Sequence, residues 1–192
     1  MNLSNFSKQQ HILNIAEAVF VSHGFKNTTI RKITVEAKIN TAMLHYYFES
    51  KERLFEAVLN RKIEILTSIS QTITDDYDSV KGLKEAIKHL INNTIENKAF
   101  FRLLYAELLI GEAGKTKKKI RDFFCFNKHI LREILERGMQ NKVFKQIDAE
   151  IVIVSIFGTL IHSITKIEDR DDDVTKARIQ AYFDTYFTSF LY

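Results

Sequence analysis

Gly24-Phe25-Lys26-Asn27-Thr28-Thr29-Ile30-Arg31-Lys32-Ile33, then Leu44-His45-Tyr46-Tyr47-Phe48-Glu49-Ser50-Lys51-Glu52-Arg53-Leu54, is the stretch that decides how this chain folds. Gly24 ends the helix before it, because glycine takes the left-handed conformation cheaply. Thr28 or Thr29 caps a short second helix that turns Ile33 and Ala37 inward. A break at Lys38–Asn40 leads into a third short helix, Thr41–Tyr47. Ser50 caps a fourth, running to about Ser70 with Leu54, Val58, Ile65 and Ile69 on its inner side. Two short helices across a three-residue turn, braced by a longer helix on each side, form a helix-turn-helix whose second short helix suits the major groove.

Upstream, Ser7-Lys8-Gln9-Gln10 has the form of a capping box. Ile12, Ile15, Ala16, Val19 and Phe20 then follow as a helical stripe. Downstream of a polar joint at Asp75–Ser79, Val80–Ile95 carries Leu83, Ile87, Leu90 and Ile91, and Lys98–Ile110 carries Phe101, Leu104, Tyr105 and Leu108. A helix over roughly Thr116–Gly138 presents Ile120, Phe123, Phe124, Leu131, Ile134 and Leu135. Asp148 caps Ala149–Ile167, and the acidic turn Asp169–Asp173 leads into a last helix ending near Phe190. The pattern predicts an all-α chain of about nine helices. Its boundaries are a three-helix head with its following brace over 7–66 and a helical ligand-binding and dimerisation domain over 67–192. The composition agrees: no Pro and six Gly leave few tight turns for a sandwich or barrel, and 45% apolar residues with 27% charged are globular.

The single Cys125 excludes an internal disulfide. The N-terminus lacks a secretion signal, and Ile151–Phe157 is too short for a membrane span, so the expected location is cytoplasmic. Residues 1–62 hold nine Lys and Arg against five Asp and Glu, while the remainder is balanced, which points to an acidic partner for the N-terminal part. No phosphate-cradling Gly loop, Gly-x-Ser-x-Gly or His-Glu-x-x-His occurs, so neither an enzyme nor a cofactor is expected. Asp169-x-Asp171-x-Asp173 fails as a calcium loop at Val174 and Gln180. Cys125 and His129, four apart, lack a further metal ligand, and Lys115–Lys119 reads as a solvated helix start.

Over about residues 9–59 the motif closely resembles the N-terminal signature of the TetR family of bacterial transcriptional regulators. The resemblance implies a dimeric, ligand-responsive protein, usually a repressor, on a palindromic operator in double-stranded DNA. It makes Lys51 a phosphate contact, which would offset a positive charge in the first turn of a helix. Thr28 and Thr29 would cap and meet phosphate together. Arg31 would reach a base edge or phosphate, its fork being suited to guanine. Thr41, Ala42, His45 and Tyr46 would face outward, with Leu44 and Phe48 inward and Met43 on either side. Tyr47 would pack in part while its hydroxyl meets phosphate. The family often has Tyr at position 45 and Gly at position 38, so His45 and Lys38 depart from it; Lys38 would add a phosphate contact.

The rings of Phe100, Phe101, Tyr105, Phe123, Phe124 and Phe126 are mostly core. Helical bundles also hold ligand cavities, and Tyr105, Glu107, Asn127 and His129 are available polar groups. The expected pocket for an unknown, largely apolar small-molecule effector is Phe101, Tyr105, Phe124, Asn127 and His129. The apolar run from Ile151 and the rings of the last helix predict a homodimer through Phe157, Gly158, Ile161, Phe183 and Phe187. Gly158 marks a close helix crossing, with a second copy or within the chain. The competing readings are a helical DNA-binding or interaction module without ligand control, and a helical enzyme.

Overall fold

The computed structural model describes residues 3–71, 80–165 and 171–191. Among these it has nine α-helices: α1 Leu3–Asn27, α2 Ile30–Glu36, α3 Thr41–Phe48, α4 Lys51–Gln71, α5 Val80–Glu96, α6 Lys98–Ile110, α7 Lys115–Gln140, α8 Ala149–Thr165 and α9 Asp172–Thr188. The isolated bridge Phe144–Leu191 is the sole extended pairing among the described residues. The all-α reading holds. The Ile69 side chain, the joint at Asp75–Ser79 and Asp169 lie outside what is described.

The chain divides into two compact units, residues 1–65 with 102–118, and residues 66–101 with 119–192. In the first, the stripe of α1 points inward as its period requires: Ile12, Ala16 and Phe20 are fully buried. The same unit buries Ile33, Leu44, Leu54, Phe55 and Val58, all at most 1% exposed. The Phe55 ring stands edge-on to Phe20 at 4.8 Å and stacks on Phe25 at 4.7 Å, geometry that favours aromatic pairs beyond their burial. Two expectations needed correction. The helix starts at Leu3, so Ser7 and Gln10 lie inside it rather than forming its capping box. The helical path does break at Gly24, as expected, at φ 74° and ψ 163°, and a short further helical segment runs from there to Asn27. Ile65 is half exposed rather than inward; Phe55, Leu59 and Ile63 fill the inner side of α4 with Leu54 and Val58.

The second unit buries the apolar faces of α5, α7, α8 and α9. Leu83, Ile87, Ile120, Phe123, Phe124, Leu131, Ile134 and Leu135 are interior, as their spacing predicts. Asp148 caps α8 through the amides of Glu150 and Ile151, at 2.9 and 3.2 Å, and Asp171 caps α9 through Asp173 and Val174. Past Gly138 the chain turns back: the amides of Val143 and Phe144 both donate to the Gly138 carbonyl, at 2.9 and 3.0 Å. A Cβ on Gly138 would lie 2.1 Å from the Phe144 ring. That residue is glycine because the ring occupies the space.

Candidate nucleic-acid interface

Local chemistry builds the short helices. Thr29 caps α2, its hydroxyl oxygen accepting from the Lys32 amide at 3.2 Å, and Asn40 caps α3, its side-chain oxygen accepting from Met43 at 2.7 Å. Between them, Lys38 stands at φ 53°, the left-handed position for which glycine is the usual solution. The turn tolerates lysine there. Ser50 caps α4 by accepting from the Arg53 amide at 3.2 Å. Leu44 and Phe48 root α3 in the core, and Thr41, Ala42, His45 and Tyr46 form its exposed side, with Tyr46 76% exposed. Met43 and Tyr47 are half-buried, and the Tyr47 ring stands edge-on to Tyr46 at 5.1 Å. Thr29, Arg31 and Lys38 are exposed as well.

Three expected contacts look different once folded. Thr28 is 1% exposed and donates its hydroxyl to the Gly24 carbonyl at 2.7 Å, so it secures the kink rather than offering that hydroxyl to phosphate. His45 donates from Nδ1 to the Glu49 carbonyl at 2.7 Å. Its neutral ring therefore presents Nε2 as an acceptor, and toward phosphate it would donate only as the imidazolium. Lys51 turns inward: its ammonium donates to the carbonyls of Phe25 at 3.1 Å and Thr28 at 3.0 Å, and lies 4.3 Å from the centre of the Phe25 ring. The cation sits badly in the first turn of α4 but well against the carbonyl end of α1. It clasps the two helices together.

More pins hold the head, and no local pattern announces them. Arg61 on α4 donates to Gln10 at 3.2 Å, to Asn14 at 2.7 Å and to Glu17 at 2.7 Å, and Lys62 reaches the same Glu17 carboxylate at 3.5 Å. His11 donates from Nε2 to the carbonyl of Ala37, the C-cap of α2, at 3.0 Å. The sequence separations, 26 to 51 residues, hide these pairings.

Of the expected pocket residues, Phe101, Phe124 and Asn127 are buried, Tyr105 is half-buried and His129 is exposed. Phe101 and Phe124 are buried in the second unit with ring centres 6.4 Å apart, and Asn127 is buried beside them, donating to the Phe123 carbonyl at 2.9 Å. Tyr105 stands one turn after Phe101 on α6, and burial pushes its hydroxyl far above the ordinary phenol value. His129 is on the outside of α7, paired with Glu133 at 3.5 Å, because residue 129 falls on the opposite helix side from Asn127. Cys125 is exposed on α7, and among the described residues no three His, Cys, Asp or Glu side chains could share a metal.

The expected dimer residues also separate. Phe157, Phe183 and Phe187 are interior to the second unit, with the last two stacked at 5.6 Å, because the apolar period of α9 was already needed for its own core. Ile161 is half-buried. Gly158 is exposed, and beyond its own stretch of helix no described residue comes within 4 Å of where its Cβ would stand. The exposed apolar residues of these helices are Ile151 and Val154 on α8 and Val174 and Tyr182 on α9, all at least 52% exposed.

An exposed helix on a buried two-residue root, held at a fixed turn beside a capped partner, defines a DNA-binding head of the helix-turn-helix class. Residues 12–58 match the family model described as bacterial regulatory proteins, tetR family, and residues 80–168 match the tetracyclin repressor-like C-terminal domain. The chain belongs to the TetR family of DNA-binding transcriptional regulators. It is 24% identical over 156 residues to the probable acrEF/envCD operon repressor of Escherichia coli (strain K12), covering 78% of this chain and 71% of that one. It is 30% identical over 142 residues to the transcriptional repressor NicS of Pseudomonas putida, covering 71% and 66%. The solved structure of AibR with isovaleryl coenzyme A and operator DNA has the same fold, with a TM-score of 0.78 at 17% identity over 91% of this chain and 97% of that one.

Proposed function

We propose that the protein is a cytoplasmic, homodimeric repressor that holds a palindromic operator and releases it when a small, largely apolar effector binds. It acts by occupancy and not as an enzyme. The observation that carries the reading is the outward side of α3, where Thr41, Ala42, His45 and Tyr46 stand exposed on the Leu44–Phe48 root beside exposed Arg31. Arg31 and Tyr46 read bases; Thr29, Lys38, Tyr47 and the α4 start meet phosphate. AibR, solved with both an acyl-coenzyme A and its operator, supports ligand control on this fold. The buried rings of Phe101, Phe123 and Phe124 supply the apolar surroundings such a ligand would need. The effector acts by preferring the DNA-incompetent arrangement, and shifts the equilibrium by that preference alone.

The second copy covers Ile151, Val154 and Gly158 of α8 and Val174 and Tyr182 of α9. These positions follow helical spacing, and the open space over Gly158 lets another backbone approach closely. Two heads on a two-fold axis require two inverted half-sites with centres about 34–36 Å apart, or multiples of that. Selection of bound duplexes from random DNA tests the whole reading. Inverted repeats are expected; recovery of unrelated sequences overturns it. Ligand-independent binding to a recovered operator would favour a DNA-binding module without effector control.

A further inference from the structure

The last peptide of α3 settles the chemistry of one side chain on its outward face. Glu49, the C-cap, stands at φ 62° and ψ −51°, the geometry of a tight γ-turn, and the Ser50 amide donates to the Phe48 carbonyl two residues back at 2.6 Å. The Glu49 carbonyl in turn accepts from His45, one helical turn earlier, whose Nδ1 lies 2.7 Å away. A carbonyl only accepts. The bond therefore keeps the proton on Nδ1 and leaves Nε2 of the neutral ring as an acceptor. Both residues are exposed, so Nε2 is open to whatever meets this side of the helix.

The other outward side chains leave the choice of partner free. Thr41 and Tyr46 carry hydroxyls that turn to donate or accept, and Ala42 does neither. His45 has one role, and duplex DNA answers it in few places. Phosphate and sugar oxygens accept, as do the guanine and thymine edges in the major groove. The donors in that groove are amino groups, N6 of adenine and N4 of cytosine. We propose that His45 is a specificity-determining residue that reads such an amino group through Nε2. The inference rests on the DNA-binding reading above and gives α3 a rule for one base pair in each half-site. An amino base must occupy one particular strand; guanine or thymine in its place sets acceptor against acceptor. In this tautomer the ring has no donor for phosphate, whereas the Tyr that the family often has here could donate its hydroxyl. The Glu49 bond also orients the imidazole before DNA arrives, which lowers the ordering cost of the contact.

Full-length wild type and His45→Ala are each carried through selection from random duplexes at about pH 8, where an ordinary imidazole is neutral. At one position of each half-site, wild type is expected to prefer A·T and C·G over T·A and G·C. His45→Ala should accept all four pairs there and keep its other preferences. The recovered operator is then remade without that amino group, purine replacing adenine or pyrimidinone replacing cytosine. Relative to His45→Ala, wild type should lose roughly 2- to 12-fold in affinity, the worth of one neutral hydrogen bond. Nitrogen-15 NMR of histidine-labelled protein, with His45 assigned by its absence from the variant, should show Nδ1 protonated both free and on the operator. A loss spread evenly over all sequences in His45→Ala, an equal response of both proteins to the missing amino group, or a ring protonated on Nε2 in the complex overturns the assignment and leaves DNA binding standing. If selection returns no operator, the DNA-binding reading fails and the inference falls with it.

Discussion

The two units are held together by different means. In the first, half-buried polar contacts bridge helices: the Arg61–Glu17 pair has both side chains 22% exposed, and Lys51 hangs on two carbonyls. In the second, ion pairs such as Lys98–Asp172 and Lys84–Asp184 are at the surface, with at least one partner 41% exposed or more, and the interior is rings and branched aliphatics. Surface pairs of that kind contribute little. Directional bonds fix the angle at which helices meet, whereas apolar packing mainly fixes volume. A part that must present side chains to DNA in one pose needs the first kind of cohesion.

The comparison is tested most harshly in the second unit. Phe187→Asp puts an unpaired carboxylate where a ring is 1% exposed, and should cost about 4–5 kcal/mol or more, enough to unfold the unit in a thermal melt. Val154→Asp, at a site 53% exposed, should leave the melt intact and yield monomers by sedimentation at micromolar concentration. Unfolding by both variants would mean that α8 has no free face. Next in size, Gly138→Ala should cost about 1–3 kcal/mol in urea unfolding by crowding the Phe144 ring, with Phe144→Leu restoring part of the loss.

Within the first unit the predictions separate pose from contact. Lys51→Met should lower stability by about 1–2 kcal/mol, because two carbonyls lose a charged donor and the Phe25 ring loses its cation, and should weaken all DNA sequences alike. Arg31→Ala and Tyr46→Ala should leave stability unchanged and relax base preference by about 1–3 kcal/mol at single positions. Binding profiles over a library of half-site variants distinguish the two classes. Identical profiles would erase the distinction between pinning and reading residues.

The smallest effect concerns Glu107. Its carboxyl is raised above the ordinary carboxylate value, chiefly by burial, against the opposing pulls of Phe25 N–H and Lys51. A folded-state value above the unfolded one gives stability that is full below the unfolded value and is lost as pH rises through the folded value. At neutral pH the ionised group is therefore a net cost. Glu107→Gln should stabilise the protein at pH 7 by a few tenths of a kcal/mol, roughly, given how much solvent screens the group. That gain should disappear in urea titrations below pH 4. A gain independent of pH would assign it to packing instead.

Much of this was legible in the sequence because local chemistry makes it so. Caps at Ser50 and Asp148, the inward stripe of α1, and the outward set Thr41, Ala42, His45 and Tyr46 follow from spacing within one or two turns. What stayed hidden needs partners distant in the chain. Lys51 read as an outward cation because its two carbonyl acceptors become neighbours only after α1 and α4 pack. Phe183 and Phe187 read as surplus because periodicity says which residues share a face, but not whether another helix of the same chain covers it. Glu107 read as pocket polarity, and nothing in its neighbourhood pointed to the influence of Phe25 and Lys51.

The inward turn of Lys51 and the pins on Glu17 also bear on the ionic character of operator binding. Of the nine basic residues in positions 1–62, Lys51, Arg53, Arg61 and Lys62 already have acceptors inside the head. Counterions are released from DNA only by charges that arrive at phosphates, with a slope of about −0.9 in log affinity against log salt for each one. Lys26, Arg31, Lys32 and Lys38, near the reading helices, are left to carry that term. The formal charge thus overstates how strongly rising ionic strength will strip this protein from DNA, and a larger share of its hold must come from contacts that depend on fit.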